Sequence, residues 1–337
     1  MAKSFVFLVS LMVAASTPLV ARAQIYEAVG TRAQGMGGAF VAVADDATAT
    51  WWNPAGIATG AYFSGVLEHV VLTDPGTPPT GGPAREDSVG DVAIALPSLG
   101  LSYYRFRVGE IHPSAPIGSP GSGRQDGEAA SVDLRSLAVN RLGVTFGQSI
   151  GSHFVIASTL ALLWGGTTTV TEPASGQSVS DASDLDTPTE THGDVDLGAM
   201  VSLGALRFGV VGKHLVEPRF GASESGVTLK REARVGMAIT SKGTAHAFTV
   251  ATDVDLTRTP TVNGDIQHLA VGGEALLAHR RLGVRAGLNA NLVGDKRVAP
   301  STGLSLGLKS RLFIDGAYTF GTETARGGWG VGVRSTF

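Results

Sequence analysis

The sequence predicts an all-β protein: a transmembrane antiparallel β-barrel of about 14 strands. Three observations predict it. The chain is poor in charge and rich in glycine. Apolar and polar residues alternate along most of its length. Long and short connections between the alternating stretches take turns.

Composition sets the frame. Of 337 residues, 46 are Gly and only 16% are charged, while 43% are hydrophobic. An ordinary soluble domain carries about 25% charged residues. Gly recurs inside the alternating stretches, which makes long helices poor candidates. The formal net charge of -3 gives no basic footprint for nucleic acid. Cys is absent, which excludes disulfide scaffolds, thiol catalysis, cysteine-ligated zinc and a lipoprotein anchor.

Residues 1–23 read as a signal peptide. Lys3 starts a short basic region, Ser4 to Val20 is mostly apolar, Pro18 interrupts it, and Ala21-Arg22-Ala23 fits a small-x-small cleavage site. Cleavage near Ala23 leaves Gln24 first and a formal charge of -5. The apolar run is shorter than the roughly 20 residues of a spanning helix.

The strands follow from period two. In 281–292, Leu282, Val284, Ala286, Leu288, Ala290 and Leu292 point one way; Arg281, Gly283, Arg285, Gly287, Asn289 and Asn291 point the other. The same reading gives strands at 61–72, 89–96, 98–107, 132–149, 153–165, 191–203, 205–215, 227–241, 244–257, 264–278, 281–292, 301–309, 311–320 and 327–337. A soluble sandwich shares the alternation, but its strands run about 5–6 residues, against the 9–11 needed to cross hydrocarbon. Long connections at 73–88, 108–131, 166–190, 216–226, 258–263, 293–300 and 321–326 alternate with short ones near Pro97, Gly151, Gly204, Gly243, Arg280 and Ser310. Outer-membrane barrels segregate long outer loops from short periplasmic turns in this way. Tyr62 to Leu72 shows no clean face.

The stretch before the first strand carries the most specific motif. It starts at Gly30 with Gly35, Gly37 and Gly38, continues through Ala44-Asp45-Asp46-Ala47, and ends at Asn53-Pro54-Ala55-Gly56. It resembles the N-terminal hatch of the long-chain fatty acid transporter (FadL) family, and the related PorV/PorQ-like barrels. The resemblance implies a plugged outer-membrane barrel, with residues 24–58 as hatch and 59–337 as barrel. The residues suit a plug. The glycines allow close approach and unusual dihedrals. Asp45 and Asp46 can accept backbone hydrogen bonds or pair with a lumen Arg. Pro54 disfavours helix at Asn53, which can close an Asx-type turn. The last residues, Trp329 to Phe337, alternate and end on an aromatic; this resembles the C-terminal signal read by outer-membrane assembly machinery.

By alternation Arg207, Lys213, Lys230, Glu232, Arg234, Asp253, Asp255, Glu274, Arg281, Arg285, Lys309, Asp315 and Arg334 face the lumen. Arg207, Arg234, Arg281 and Arg285 are the ligand candidates among them. Buried charges of both signs should pair, as scaffolding between wall and plug. Other chemistry is weak. Gly35-x-Gly37-Gly38 lacks the spacing and lysine of a phosphate loop. The eight histidines make no ligand pair at metal spacing, and Ser152-His153 reads as a turn. Asp181, Asp184, Asp186, Glu190, Asp194 and Asp196 form an acidic run, 181–196, that suits solvent better than calcium. No catalytic residue, metal or cofactor is expected.

The resemblance implies passive uptake of hydrophobic small molecules, fatty-acid-like or aromatic, through a plugged barrel with a sideways exit. The alternative it carries is an accessory barrel that binds a secretion or surface-attachment partner. Expected surroundings are the bacterial outer membrane, its lipid and its assembly machinery.

Overall fold

The computed structural model describes residues 29–74, 84–113, 131–173, 179–221, 226–241, 243, 245–261, 264–294, 297–309, 311–321 and 326–337. The expected signal peptide, and residues 24–28 of the expected hatch, lie outside them.

Fourteen antiparallel strands close into one barrel, each paired with its neighbours in sequence and the last with the first. They are β1 (Ser64–Asp74), β2 (Ala84–Leu96), β3 (Leu99–Pro113), β4 (Ser131–Ile150), β5 (Phe154–Pro173), β6 (Glu190–Leu203), β7 (Leu206–Lys213), β8 (Glu232–Thr240), β9 (Ala247–Asp255), β10 (His268–Leu277), β11 (Leu282–Asn291), β12 (Val298–Lys309), β13 (Leu312–Thr319) and β14 (Gly327–Thr336). Closure pairs Ser64 with Thr336 and Thr73 with Gly327. It continues in Phe63 and Phe337, whose backbones bond in both directions and whose rings meet edge to face at 5.3 Å. Closing the sheet leaves no strand edge, as hydrocarbon demands. No helix among the described residues is long and apolar enough to cross a membrane.

The wall has two heights. Strands β2 to β6 run 13 to 20 residues, while β7 to β14 run 8 to 12. An apolar band covers much of the outward face, where Leu160, Leu162, Leu197, Val250, Leu304, Leu306, Val331 and Val333 are all exposed, while His69 and Arg105 also face out. At β1 the inward face is apolar as well, with Val66, Val70 and Leu72 buried beside Glu68. That explains why β1 shows no clean alternation in sequence: part of the lumen beside it is a packed core, not water.

That core belongs to the N-terminal segment. Residues 29–57 are buried almost throughout and lie inside the barrel. The segment folds into α1 (Thr31–Gly35), a turn-rich stretch, α2 (Ala49–Trp52) and a 3-10 turn at Pro54–Ala58. Helix α1 packs on β11 to β14, and the 3-10 turn packs on β4 to β6.

Candidate functional site

The site is the contact between this inner segment and the wall. Its first limb, residues 30–46, is held by charge. Arg32 donates to both oxygens of Glu274 on β10, from Nε at 2.8 Å and Nη2 at 2.5 Å. Its Nη1 pairs with Asp46 at 3.1 Å and also with Asp45. Glu274 accepts a third bond from Arg285 Nε at 2.7 Å. Arg285 reaches Asp315 at 3.4 Å, and Asp315 accepts from Arg334 Nε at 3.0 Å. The result is one chain of alternating sign, Asp46–Arg32–Glu274–Arg285–Asp315–Arg334. Buried ions persist where each is paired and hydrogen-bonded, and fork-to-fork Arg–carboxylate contacts add direction. Burial opposes the charge on Arg32, yet the adjacent Asp45, Glu274 and Asp46 hold its pKa well above the usual arginine value.

Backbone groups of this limb find wall side chains because they have no sheet partner. Asp253 Oδ2 accepts from both Phe40 N and Val41 N at 2.7 Å. Asn289 donates to Gly37 O at 3.1 Å. Gly37 and Gly38 hold φ of 67° and 84°, so a side chain there is strained. Across the contact, Gly272 and Gly287 press against the Met36 backbone, and a Cβ at either would overlap it.

The second limb, residues 47–58, is held by rings and one amide. Trp51 lies within 5.3 Å of the Tyr104 ring and 4.9 Å of Phe106. Lys213 Nζ stands 2.8 Å above its ring centroid, and the Arg141 guanidinium 5.4 Å away. Trp52 donates to Val29 O at 3.0 Å. Asn53 accepts from Ala55 N at 3.1 Å, closing a turn over Pro54, while its Nδ2 donates to Val41 O and to Ala199 O on β6. Gly198 on β6 leaves room only for that amide. Ala55 packs with Val155, Ala157 and Met200.

The structure thus gathers Gly35, Gly37, Gly38, Asp45, Asp46, Asn53, Pro54 and Ala55 at one interface. Asp45 and Asp46 pair with Arg32 of their own segment, not with a wall arginine. Asp46 also accepts from Thr48 N at 3.0 Å. Arg234 and Arg285 are buried inside the barrel, and Arg234 pairs with Asp255 at 2.5 Å. Arg207 also faces in, half-buried, with Val43 O at 3.5 Å. Arg281 does not face the lumen. It is exposed in the β10–β11 turn, where Ala278, His279 and Arg280 take φ of 49°, 57° and 66° and end the alternation before Leu282. Lys230 is likewise half-exposed beside Glu217, and the Lys309 side chain lies outside the described residues. Trp329 points outward against His69.

The acidic run divides. Asp181 lies in a short helix, Val179–Ser183, and Asp184 pairs with Arg107 at 3.3 Å on the surface. Asp194 and Asp196 are β6 residues buried inside the wall. Ser152 and His153 bond to each other at an exposed turn.

Arg32, Trp51, Arg141 and His214 escape sequence reasoning. Arg32 and Trp51 sit in a segment without period, and Arg141 sits on β4, where the alternation of Leu142 and Val144 could have marked it as inward.

Two cavities flank the interface. One of about 100 Å³ at the long-loop end is lined by Gln34, Gly37 and Gly38 of the inner segment and by wall residues including Leu72, His268, Asn289 and Ala299. Its arginines, Arg297 and Arg326, are paired with Asp74 and Asp87. The other, about 450 Å³ at the short-turn end, is lined by Arg32, Asp45, Arg207 and Glu274 among others. A wall hollow of about 780 Å³ lies between Phe146, Ile156, Leu197 and Val210, with Gly198 in its floor.

The fold is that of the FadL-type hydrocarbon channels. A CymD monoaromatic hydrocarbon channel aligns over 94% of this chain and 99% of its own, at 12% identity and TM-score 0.61. The Ralstonia pickettii toluene transporter TbuX aligns over 93% and 99%, at 13% identity and TM-score 0.57. A Pseudomonas aeruginosa FadL homologue aligns over 92% and 98%, at 11% identity and TM-score 0.53. No curated protein matches the sequence. A family described as "F plasmid transfer operon, TraF, protein" matches residues 10–255. With that match spanning more than half of its length, the chain belongs to this TraF family, and its barrel has the FadL-like fold.

Proposed function

We propose that the mature chain is an outer-membrane channel for passive uptake of small, neutral hydrophobic molecules, with residues 24–58 as its plug. The observation that carries this reading is the cavity against Gly37 and Gly38. It is of the order of the apolar cavity, about 150 Å³, that accepts benzene in another protein. Its volume matches one aromatic ring. Both arginines at its mouth are already neutralised by aspartates, so a fatty-acid carboxylate meets no waiting cation. The structural neighbours described as monoaromatic hydrocarbon channels and a toluene transporter support the same class.

Passage requires the plug to move, because its buried residues fill the lumen. Asn53 and Pro54 lie directly behind the wall hollow, which makes that part of β5 to β7 the natural sideways exit. The experiment is uptake of labelled toluene and labelled palmitate in a deletion strain carrying the intact chain or the double variant Asn53→Ala, Pro54→Ala. Toluene uptake restored by the intact chain, and altered by the variant at equal folded-barrel levels, supports the channel. Uptake of palmitate alone would overturn the neutral-ring assignment.

The family description, which names a plasmid transfer operon, favours a second reading: an accessory barrel for a transfer or surface-assembly partner. No tracer uptake, together with lost transfer or secretion on deletion, selects it.

A further inference from the structure

We propose that Asp194, Asp196 and His214 form a binding site for a divalent transition-metal ion of the zinc type, which fastens the long-loop end of β6 to that of β7. The three side chains are buried, and one donor atom from each lies within 4.8 Å of the others. Asp194 and Asp196 are two apart on β6, so they share its inward face. His214 follows the last residue of β7, and its φ of 53° turns the chain back toward β6. The β6–β7 ladder stops at Leu197 and Gly212. Beyond it one backbone bond, from Leu215 N to Val195 O at 3.1 Å, continues the pairing.

A separate observation points to a missing ligand. Asp194 Oδ1 is buried with no hydrogen-bond partner, although Asp194 is only 3% exposed. Buried carboxylate oxygens are almost always satisfied. The other oxygen of Asp194 meets His214 Nδ1 at 2.7 Å. A metal ion bound through His214 Nδ1 takes the place of any proton there; from the imidazolium that proton leaves to solvent, and from the neutral ring it moves to Nε2. One imidazole and two carboxylates suit zinc, cobalt or nickel better than calcium, whose ligands are all oxygens. Zinc bonds of about 2.0–2.2 Å place tetrahedral donors about 3.4 Å apart, so the His214–Asp194 pair must open slightly and the Asp196 carboxylate turn in. The site has cationic neighbours, since Arg141 donates to Asp196 at 2.6 Å and Lys213 stands over Trp51. The local charge rises by one unit from the imidazolium and by two from the neutral ring, set against the carboxylates of Asp194, Asp196 and the nearby Glu232.

Trp51 supplies a reporter, its ring 6.3 Å from the His214 ring. The test uses the full-length protein folded in detergent, stripped with EDTA and titrated with Co2+. Expected are one Co2+ per chain, a visible ligand-field band, displacement by Zn2+, and quenching that Trp51→Phe removes. His214→Gln and Asp194→Asn should each weaken binding about tenfold or more. His192→Gln, on a half-exposed histidine of the same strand, should leave it unchanged. Absence of stoichiometric Co2+ binding to the wild-type chain overturns the proposal, as does undiminished binding by Asp194→Asn. If His214→Gln does not fold, those two results still decide.

Discussion

The two limbs of the inner segment are held by opposite means. The first, around Arg32, meets the short-stranded side of the barrel through an unbroken chain of ion pairs and through wall glycines that admit its backbone. The second, around Trp51 and Asn53, meets the tall side through aromatic rings, small apolar residues and one amide. An ion-pair chain has stringent geometry and fails as a unit when one member goes, since each remaining charge is left buried. A packed apolar contact gives way more gradually and slides at lower cost. On the proposed function, the first limb is the anchor and the second is the part that shifts beside the wall hollow.

The largest expected effect is at the centre of the charged limb. Glu274→Leu leaves Arg32 and Arg285 without their shared carboxylate and should destabilise the folded barrel by about 3–5 kcal/mol. The check is the denaturant midpoint of the heat-modifiable band. A loss below about 1 kcal/mol would mean that the limb is not an anchor.

Gly287→Val tests the same limb without touching charge. A side chain there overlaps the Met36 backbone, so the limb must lift from β11 and β12. A cysteine placed at Ala39, fully buried in the intact protein, should become reachable by a bulky thiol reagent while Ala47→Cys stays shielded. Labelling of both sites in the otherwise unaltered chain would remove the plug altogether.

On the second limb the effect is smaller. Asn53→Ala removes the bond to Ala55 N and the two it donates, and should cost about 1–3 kcal/mol. It should change tracer uptake more than barrel stability; the reverse outcome would assign Asn53 to scaffolding alone. The smallest change is expected at Arg107→Ala, which breaks an exposed pair with Asp184. That should cost at most about 1 kcal/mol, vanishing in high salt.

Much of the barrel was legible. Each of the fourteen sequence-derived strands overlaps one barrel strand, because lipid outside and polar groups inside impose period two wherever both faces are distinct. The reading weakened where that contrast fails. At β1 both faces are apolar in part, since Val66, Val70 and Leu72 meet the inner segment. At Arg281 the alternation of residue types ran on into a turn, and only the left-handed backbone of Ala278 to Arg280 shows that the strand had not begun.

The inner segment was legible as a motif and not as a set of contacts. Asp45 and Asp46 announced a need for a cation, but nothing in their spacing says that Arg32, rather than a wall arginine, answers it. Glu274 and Arg285 declared themselves inward-facing, yet their meeting with Arg32 depends on the stagger of β10 against β11 and on where α1 lies. Arg141, Asp196 and His214 stand on β4, on β6 and beyond β7, far apart in the chain, and barrel closure brings them around Trp51.

The sequence by itself determined the strands, most of their outward faces and the break in period at the N-terminal stretch, because those depend on local period and on residue type. Tertiary structure decided which charges neutralise one another, which glycines receive the inner backbone, and where cavities remain. The physical reason is that these depend on strand stagger and on distances across the lumen, between residues as much as 285 positions apart in the chain.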